Sequence, residues 1–120
     1  MPRCALAFPP ELGGCGAGAN PEQLLAAAFG ASFGSALDLE ARQSGRVIEP
    51  PRVTALVSLC HGDDGCHAVM IELRCHLPAL SREAAERLLR AARDSCSCCR
   101  MVGGNAELRI VLACPDAEQA

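Results

Sequence analysis

The sequence contains no lysine, and its eleven basic residues are arginines scattered along 120 residues against fourteen acidic ones, a net charge of −3. With no basic patch or stripe, the electrostatic footprint of a nucleic-acid binder is missing. No apolar run is long enough for a bilayer crossing. The longest mainly apolar stretch, Leu24 to Leu37, holds 14 residues where about 20 are needed. Residues 1–10 lack the layout of a secretory signal, so the expected location is the cytoplasm and no membrane partner is expected. Half the residues are apolar and 21% are charged, which excludes a disordered or fibrous chain. At 12.5 kDa there is room for one core, and residues 1–120 are read as a single domain.

Cysteine is abundant: nine residues, at positions 4, 15, 60, 66, 75, 96, 98, 99 and 114. The odd count, the absence of an export signal and a reducing cytosol argue against a disulfide framework. Free cysteine is also among the most buried residue types, so small buried hydrophobes are the competing reading for each.

Residues 1–19 carry Pro9, Pro10, Gly13, Gly14, Gly16 and Gly18 and read as a leading loop. Order begins at Asn20, an N-cap, followed by Pro21 at the first helical position and Glu22 at the positive end of the dipole. The helix runs to about Gln43, where Ser44 and Gly45 stop it. Its middle is apolar on every side, which predicts an internal helix. Gly30, Ser32, Gly34 and Ser35 keep part of its surface thin, so that another backbone, such as a partner helix at a core or dimer seam, can approach.

Val53 to His61 and Cys66 to Leu77 flank the turn-rich Gly62-Asp63-Asp64-Gly65 and read as a hairpin. In its second strand Val69, Ile71, Leu73, Cys75 and Leu77 alternate with Met70, Glu72, Arg74 and His76, the pattern of a half-buried antiparallel strand. Ser81 caps a second helix with Leu80 stapling onto Ala85, an apolar stripe of Ala85, Leu88, Leu89 and Ala92, and the i,i+4 pairs Glu83–Arg87, Glu86–Arg90 and Arg90–Asp94 on the solvated side. Ala106 to Ala113 alternates again, and residues 115–120 read as a frayed tail. The expected class is α+β, with the long central helix and a second helix packed on an antiparallel sheet.

The run Glu11-Leu-Gly-Gly-Cys15, then Ala19-Asn-Pro-Glu-Gln-Leu24, then Ala31-Ser-Phe33 resembles the organic hydroperoxide resistance branch of the Ohr/OsmC family. Members of that branch carry a glycine-rich loop, an Asn-Pro-Glu-Gln helix start and, ten residues after the glutamate, a peroxidatic cysteine before a phenylalanine. Here that position is Ser32. Leu88-Leu-Arg-Ala-Ala-Arg-Asp-Ser-Cys96 followed by Gly104-Asn105 is similar to the family's second-cysteine segment, and Cys96 matches the resolving cysteine. The resemblance covers about residues 8–113. It implies an OsmC-like fold, an intertwined homodimer, thiol-dependent reduction of a hydrophobic peroxide near Phe29, Ser32 and Phe33, a dithiol reductant, and neither metal nor organic cofactor. The family's opening strands, which carry an arginine beside the peroxidatic thiolate, have no counterpart to name in this sequence. Where relatives show a proline, an aromatic and a serine after the resolving cysteine, this chain has Ser97, Cys98 and Cys99.

A peroxidatic residue attacks the O–O bond as a thiolate, becomes a sulfenic acid and is resolved as a disulfide. Serine has no such states, so Ser32 is expected to break the cycle. Its bland reading is a hydroxyl bonded back along its own helix. Glu22 matches the family glutamate that orients the arginine, but ten helical residues, on the order of 15 Å, separate it from Ser32. A shared site would have to form across a dimer, and the alternative is that Glu22 only complements the helix dipole. Three possibilities follow for function: an impaired peroxidase, an inactive binding or structural relic, or a peroxidase relocated to Cys96, Cys98 and Cys99. Following the end of a helix disfavours a thiolate there, while Arg93 and Arg100 act oppositely.

Cys60-His61, Cys66-His67 and Cys75-His76 repeat a possible ligand pair. A four-residue hairpin loop would set His61 opposite Cys66 and Cys60 opposite His67. Two ligands per strand face fall short of the four of a structural zinc site, so no metal is assigned.

Overall fold

A computed structural model of the chain describes residues 20–45, 52–61, 67–102 and 106–113. The leading loop, the Gly62–Gly65 turn and the tail from Pro115 lie outside these residues. Helix α1 spans Pro21–Gln43, strand β1 Arg52–His61, strand β2 His67–His76, helix α2 Arg82–Ser95, helix α3 Ser97–Val102 and strand β3 Glu107–Leu112.

Helix α1 begins as its sequence dictates. The Asn20 side chain accepts from the Gln23 backbone N–H at 2.8 Å, and the Gln23 side chain accepts from the Asn20 N–H at 3.1 Å. This reciprocal capping box satisfies two orphan donors of the first turn, with Pro21 needing none. At the far end Gly45 has φ 75°, a left-handed conformation that favours glycine, and the helix stops.

Length and apolar composition alone would let the 23-residue α1 cross a bilayer, a longer apolar element than the 14-residue run suggests. Its packing is that of a core helix with one covered face. Phe29, Phe33, Ala36, Leu37 and Ala41 are buried, while Leu24 and Leu39 are exposed. The expectation of a helix buried all round is therefore corrected: the i, i+4, i+8 row of Phe29, Phe33 and Leu37 selects the inward face. The two glycines face strand β1, where an added Cβ would make ordinary van der Waals contact. A Cβ on Gly30 would sit 3.6 Å from the Ala55 Cβ, and one on Gly34 would sit 3.9 Å from a Val53 methyl.

Strands β1 and β2 pair antiparallel, as the alternation predicts, and Ile71, Leu73 and Cys75 of β2, with Leu77 just beyond it, are buried against the helices. The register pairs His61 with His67 and Cys60 with Ala68, one residue from the expected pairing of His61 with Cys66 and Cys60 with His67. Strand β3 corrects the antiparallel expectation. It joins the free side of β2 in parallel, Leu73 opposite Ile110, so the α+β sheet is mixed, in the order β1-β2-β3. The physical reason is the connection: two helices intervene between β2 and β3, a crossover that returns the chain to the starting end of β2.

Ser81 caps α2, accepting from the Ala84 N–H at 3.3 Å, and Ala84, Ala85, Leu88, Leu89 and Ala92 form its buried stripe. Among the described residues the ion pair on its solvated side is Arg82–Glu86 at 3.3 Å, in place of the three pairs expected from spacing. The core gathers α1, the inner face of the sheet, α2 and the thiols of Cys75, Cys96 and Cys99.

Truncating the fully buried Phe33 to Ala should lower the unfolding free energy by about 3–5 kcal/mol. Arg82→Ala, which removes one exposed ion pair, should change it by no more than about 0.5 kcal/mol. Urea denaturation followed by circular dichroism measures both, and equal effects would contradict the packing of α1 described here.

Candidate functional site

Ser32 and Cys96, 64 positions apart in sequence, meet where α1 passes the α2–α3 junction, with 3.3 Å between the Ser32 Oγ and the Cys96 Sγ. Ser32 lies between the core residues Phe29 and Phe33, so the packing that orients the helix also aims the hydroxyl. The hydroxyl engages the sulfur of Cys96 rather than a carbonyl of its own helix, which corrects the bland reading of Ser32.

Cys96 ends α2 in extended backbone (φ −73°, ψ 117°), its N–H bonded to the Ala92 carbonyl and its own carbonyl accepting from Arg100 N–H. It thus caps α2 and starts α3 at once. Burial by itself would push the Cys96 thiol up. Hydrogen bonds from the Ser32 hydroxyl, from the backbone and thiol of Cys99, and from the backbone of Cys98 outweigh it and hold the thiol below its ordinary value. The expectation that a helix end disfavours a thiolate at this position is therefore corrected. The break before α3 turns free N–H groups toward the sulfur, a feature of backbone geometry that residue spacing does not reveal.

The neighbouring thiols behave differently. Cys99 is buried and pushed up to about 12, first by desolvation, then by donating its S–H to Cys96 and by the charge of that sulfur, with Arg93 acting in the opposite direction. Cys98 is half-buried. Cys75, in the core face of β2, is pushed up to about 12 by burial.

A shallow groove of about 400 Å³ opens onto the pair, lined by Ser32, Ser35, Ala36, Leu39, Ser95, Cys96 and Ser97. Phe29 and Phe33 do not line it: they are 1% and 0% exposed and belong to the core. The groove is lined by small residues, with Leu39 as its large apolar side chain. Glu22, in the first turn of α1, stays about 15 Å from Ser32 along the helix, and no ion pair to it forms among the described residues. Among the described residues, no three His, Cys, Asp or Glu side chains group to hold a metal ion.

The order of the elements and the mixed sheet are those of a known class. The family model described as OsmC-like protein matches residues 13–111, and the chain belongs to that family. Several relatives carry the name of the hydroperoxide resistance branch. The chain is 33% identical to organic hydroperoxide resistance protein OhrB of Bacillus subtilis over 96 residues, covering 79% of this chain and 70% of that protein. It is likewise 33% identical to the organic hydroperoxide resistance protein of Xanthomonas axonopodis pv. citri over 110 residues, covering 90% and 77%. The crystal structure of the organic hydroperoxide resistance protein OsmC from Legionella pneumophila matches with a TM-score of 0.89 at 31% identity, over 95% of this chain and 83% of that one. For the structure of OhrB from Bacillus subtilis the TM-score is 0.76 at 33% identity, covering 80% and 71%.

Two outcomes are expected from the thiol environments. Alkylation of Cys96 by a small haloacetamide, read by peptide mass spectrometry across pH, should have a midpoint below that of an unperturbed thiol, and Ser32→Ala should raise it. A midpoint unmoved by Ser32→Ala would remove the hydroxyl from the account. The second outcome concerns stability. Cys75 and Cys99 have folded pKa values raised above their unfolded ones, so the stability they contribute is complete below the ordinary thiol value and is lost as pH rises from there toward 12. The urea midpoint should fall between neutral pH and about pH 10.5, and fall less in Cys75→Ala.

Proposed function

We propose that this chain serves in organic hydroperoxide defence with a redox site from which one of two sulfurs has been removed, so that the family's peroxide reduction is impaired. The observation that carries this reading is the 3.3 Å contact between Ser32 and Cys96, the two positions that match the family's peroxidatic and resolving residues. An alcohol stays neutral near pH 7, has no accessible sulfenic state and forms no disulfide, so no covalent step passes through position 32. What the hydroxyl retains is donation: it stabilises negative charge on the Cys96 sulfur.

The molecule acts as a cytoplasmic homodimer. Exposed Leu24, Leu39 and Met101 supply apolar surface for such an association, and Glu22, too distant to serve Ser32 of its own helix, acts either across the dimer or only on the helix dipole. A hydrophobic peroxide enters the groove beside Ser32, and a small dithiol supplies electrons.

With dihydrolipoamide as reductant, the wild-type protein should turn over an alkyl hydroperoxide slowly, and Ser32→Cys should raise the rate on the order of tenfold or more. No gain in Ser32→Cys, or fast turnover by the unmodified chain, would overturn the proposal. Light scattering should give a mass of twice 12.5 kDa.

A further inference from the structure

The sequence places a second cysteine one helical turn beyond Cys96, in Cys96-Ser97-Cys98-Cys99, and the fold gives that spacing a meaning. Cys96 stands just before α3, its carbonyl accepting from the Arg100 N–H at 3.1 Å, so the chain from Cys96 to Cys99 forms one closed turn, and the Cα atoms at the two ends of such a turn lie within the range a disulfide spans. Both cysteines are buried in the same core cluster. Cys98 differs from both in being only half-buried. The Ser32 hydroxyl approaches the Cys96 sulfur from α1, and the groove beside Ser32 reaches Cys96.

We infer that Cys96 and Cys99 form a redox-active dithiol, with Cys96 as the nucleophile, Cys99 as the resolving thiol and Ser32 as the residue that positions and stabilises the Cys96 sulfur. The choice of an organic hydroperoxide as oxidant rests on the function proposed above. The Cys96 thiolate attacks the peroxide oxygen. An S–O bond forms as the O–O bond breaks, sulfur is oxidised to the sulfenic acid, and the alkoxide leaves and takes up a proton to become the alcohol. The Cys99 thiol then gives up its proton and attacks the Cys96 sulfur. The S–S bond forms, and hydroxide leaves with that proton as water. A small dithiol returns two electrons and two protons to the pair and becomes a cyclic disulfide. Part of what holds the Cys99 proton is the negative sulfur of Cys96, and that hold ends when Cys96 becomes a neutral sulfenic acid. Deprotonation of the resolving thiol is thereby favoured only after the first step.

Cleavage after Arg93 and Arg100 releases Asp94 to Arg100 with all three thiols in one peptide, so the test needs no variant. The reduced protein is treated with one equivalent of cumene hydroperoxide, blocked with N-ethylmaleimide and digested. The expected peptide has lost two hydrogens and carries a single label, on Cys98, and prior dithiothreitol restores three labels. In Cys99→Ala a dimedone adduct should accumulate on Cys96 instead, and Ser32→Ala should slow oxidation of the wild-type pair roughly tenfold. Three labels after peroxide, or a disulfide that joins Cys98 instead, would overturn the dithiol. That failure is separable from failure of the proposed function, because the gain in Ser32→Cys does not require Cys99. Disulfide formation by oxidised dithiothreitol but not by the hydroperoxide would overturn the assigned oxidant.

Discussion

A sulfur removed from water can carry charge only where donors replace the lost solvation, and the Cys96 sulfur is the point in this fold where two elements supply them to a residue held by a third. Helix α1 contributes the Ser32 hydroxyl, and the first turn of α3 contributes backbone N–H groups and the thiol of Cys99. Helix α2 delivers the residue itself at its last turn, with the Cys96 N–H held by the Ala92 carbonyl at 2.8 Å. The position of Ser32 in this set depends on the burial of Phe29, Phe33 and Leu37, which fixes the rotation of α1. Core packing and thiol electrostatics are consequently one constraint. A helix rotated by one residue would turn Ser32 by about 100° and leave the sulfur buried without that donor.

The contrast with the other buried thiols shows what donors add to burial. Cys75 is as fully excluded from solvent as Cys96, yet its environment pushes its pKa up to about 12, since desolvation there meets no compensating donors to a charged form. Cys99 shows the reciprocal cost of a shared proton. It donates to Cys96 and is itself held protonated, so the pair contains one sulfur disposed to ionise and one disposed to keep its hydrogen. Two identical side chains become chemically distinct through their order along one helical turn.

Much of this architecture was legible in the sequence because local rules govern it. Asn20-Pro21 and Ser81 start helices where side-chain oxygens can cap them, the two-residue period of β2 names its inner face, and the stripe from Ala85 to Ala92 names that of α2. The motif from Asn20 to Phe33 and the segment ending at Cys96 identified the family and brought Ser32 and Cys96 to attention, though no local rule could set the distance between them. What escaped was what depends on non-local pairing or on a single backbone break. The parallel registration of β3 follows from a crossover through two helices. The hairpin register differs by one residue from the expected pairing. The burial of Phe29 and Phe33 away from the groove depends on which face of an all-round apolar helix the sheet takes. The thiol-stabilising start of α3 arises at a residue whose identity, cysteine between two serines, gives no sign of a change in helix direction.

That break is the step linking topology to chemistry. Had α2 continued unbroken through Cys96, the residue would have helical dihedral angles, and its sulfur would lie toward the carbonyl end of the preceding turn, where partial negative charge opposes ionisation. The crossover to β3 must instead turn the chain after α2, and the extended backbone at Cys96 (ψ 117°) accomplishes the turn. The same rotation that redirects the chain exposes the sulfur to the N–H groups of Cys98 and Cys99. Replacing sulfur by oxygen at position 32 removes a covalent partner for Cys96 but leaves this backbone arrangement untouched. The Ser32 hydroxyl keeps its place as a donor to the Cys96 sulfur, and the donors of Cys98 and Cys99 come from α3, so the change on α1 that abolishes the chemistry of the residue opposite leaves the donor set in place.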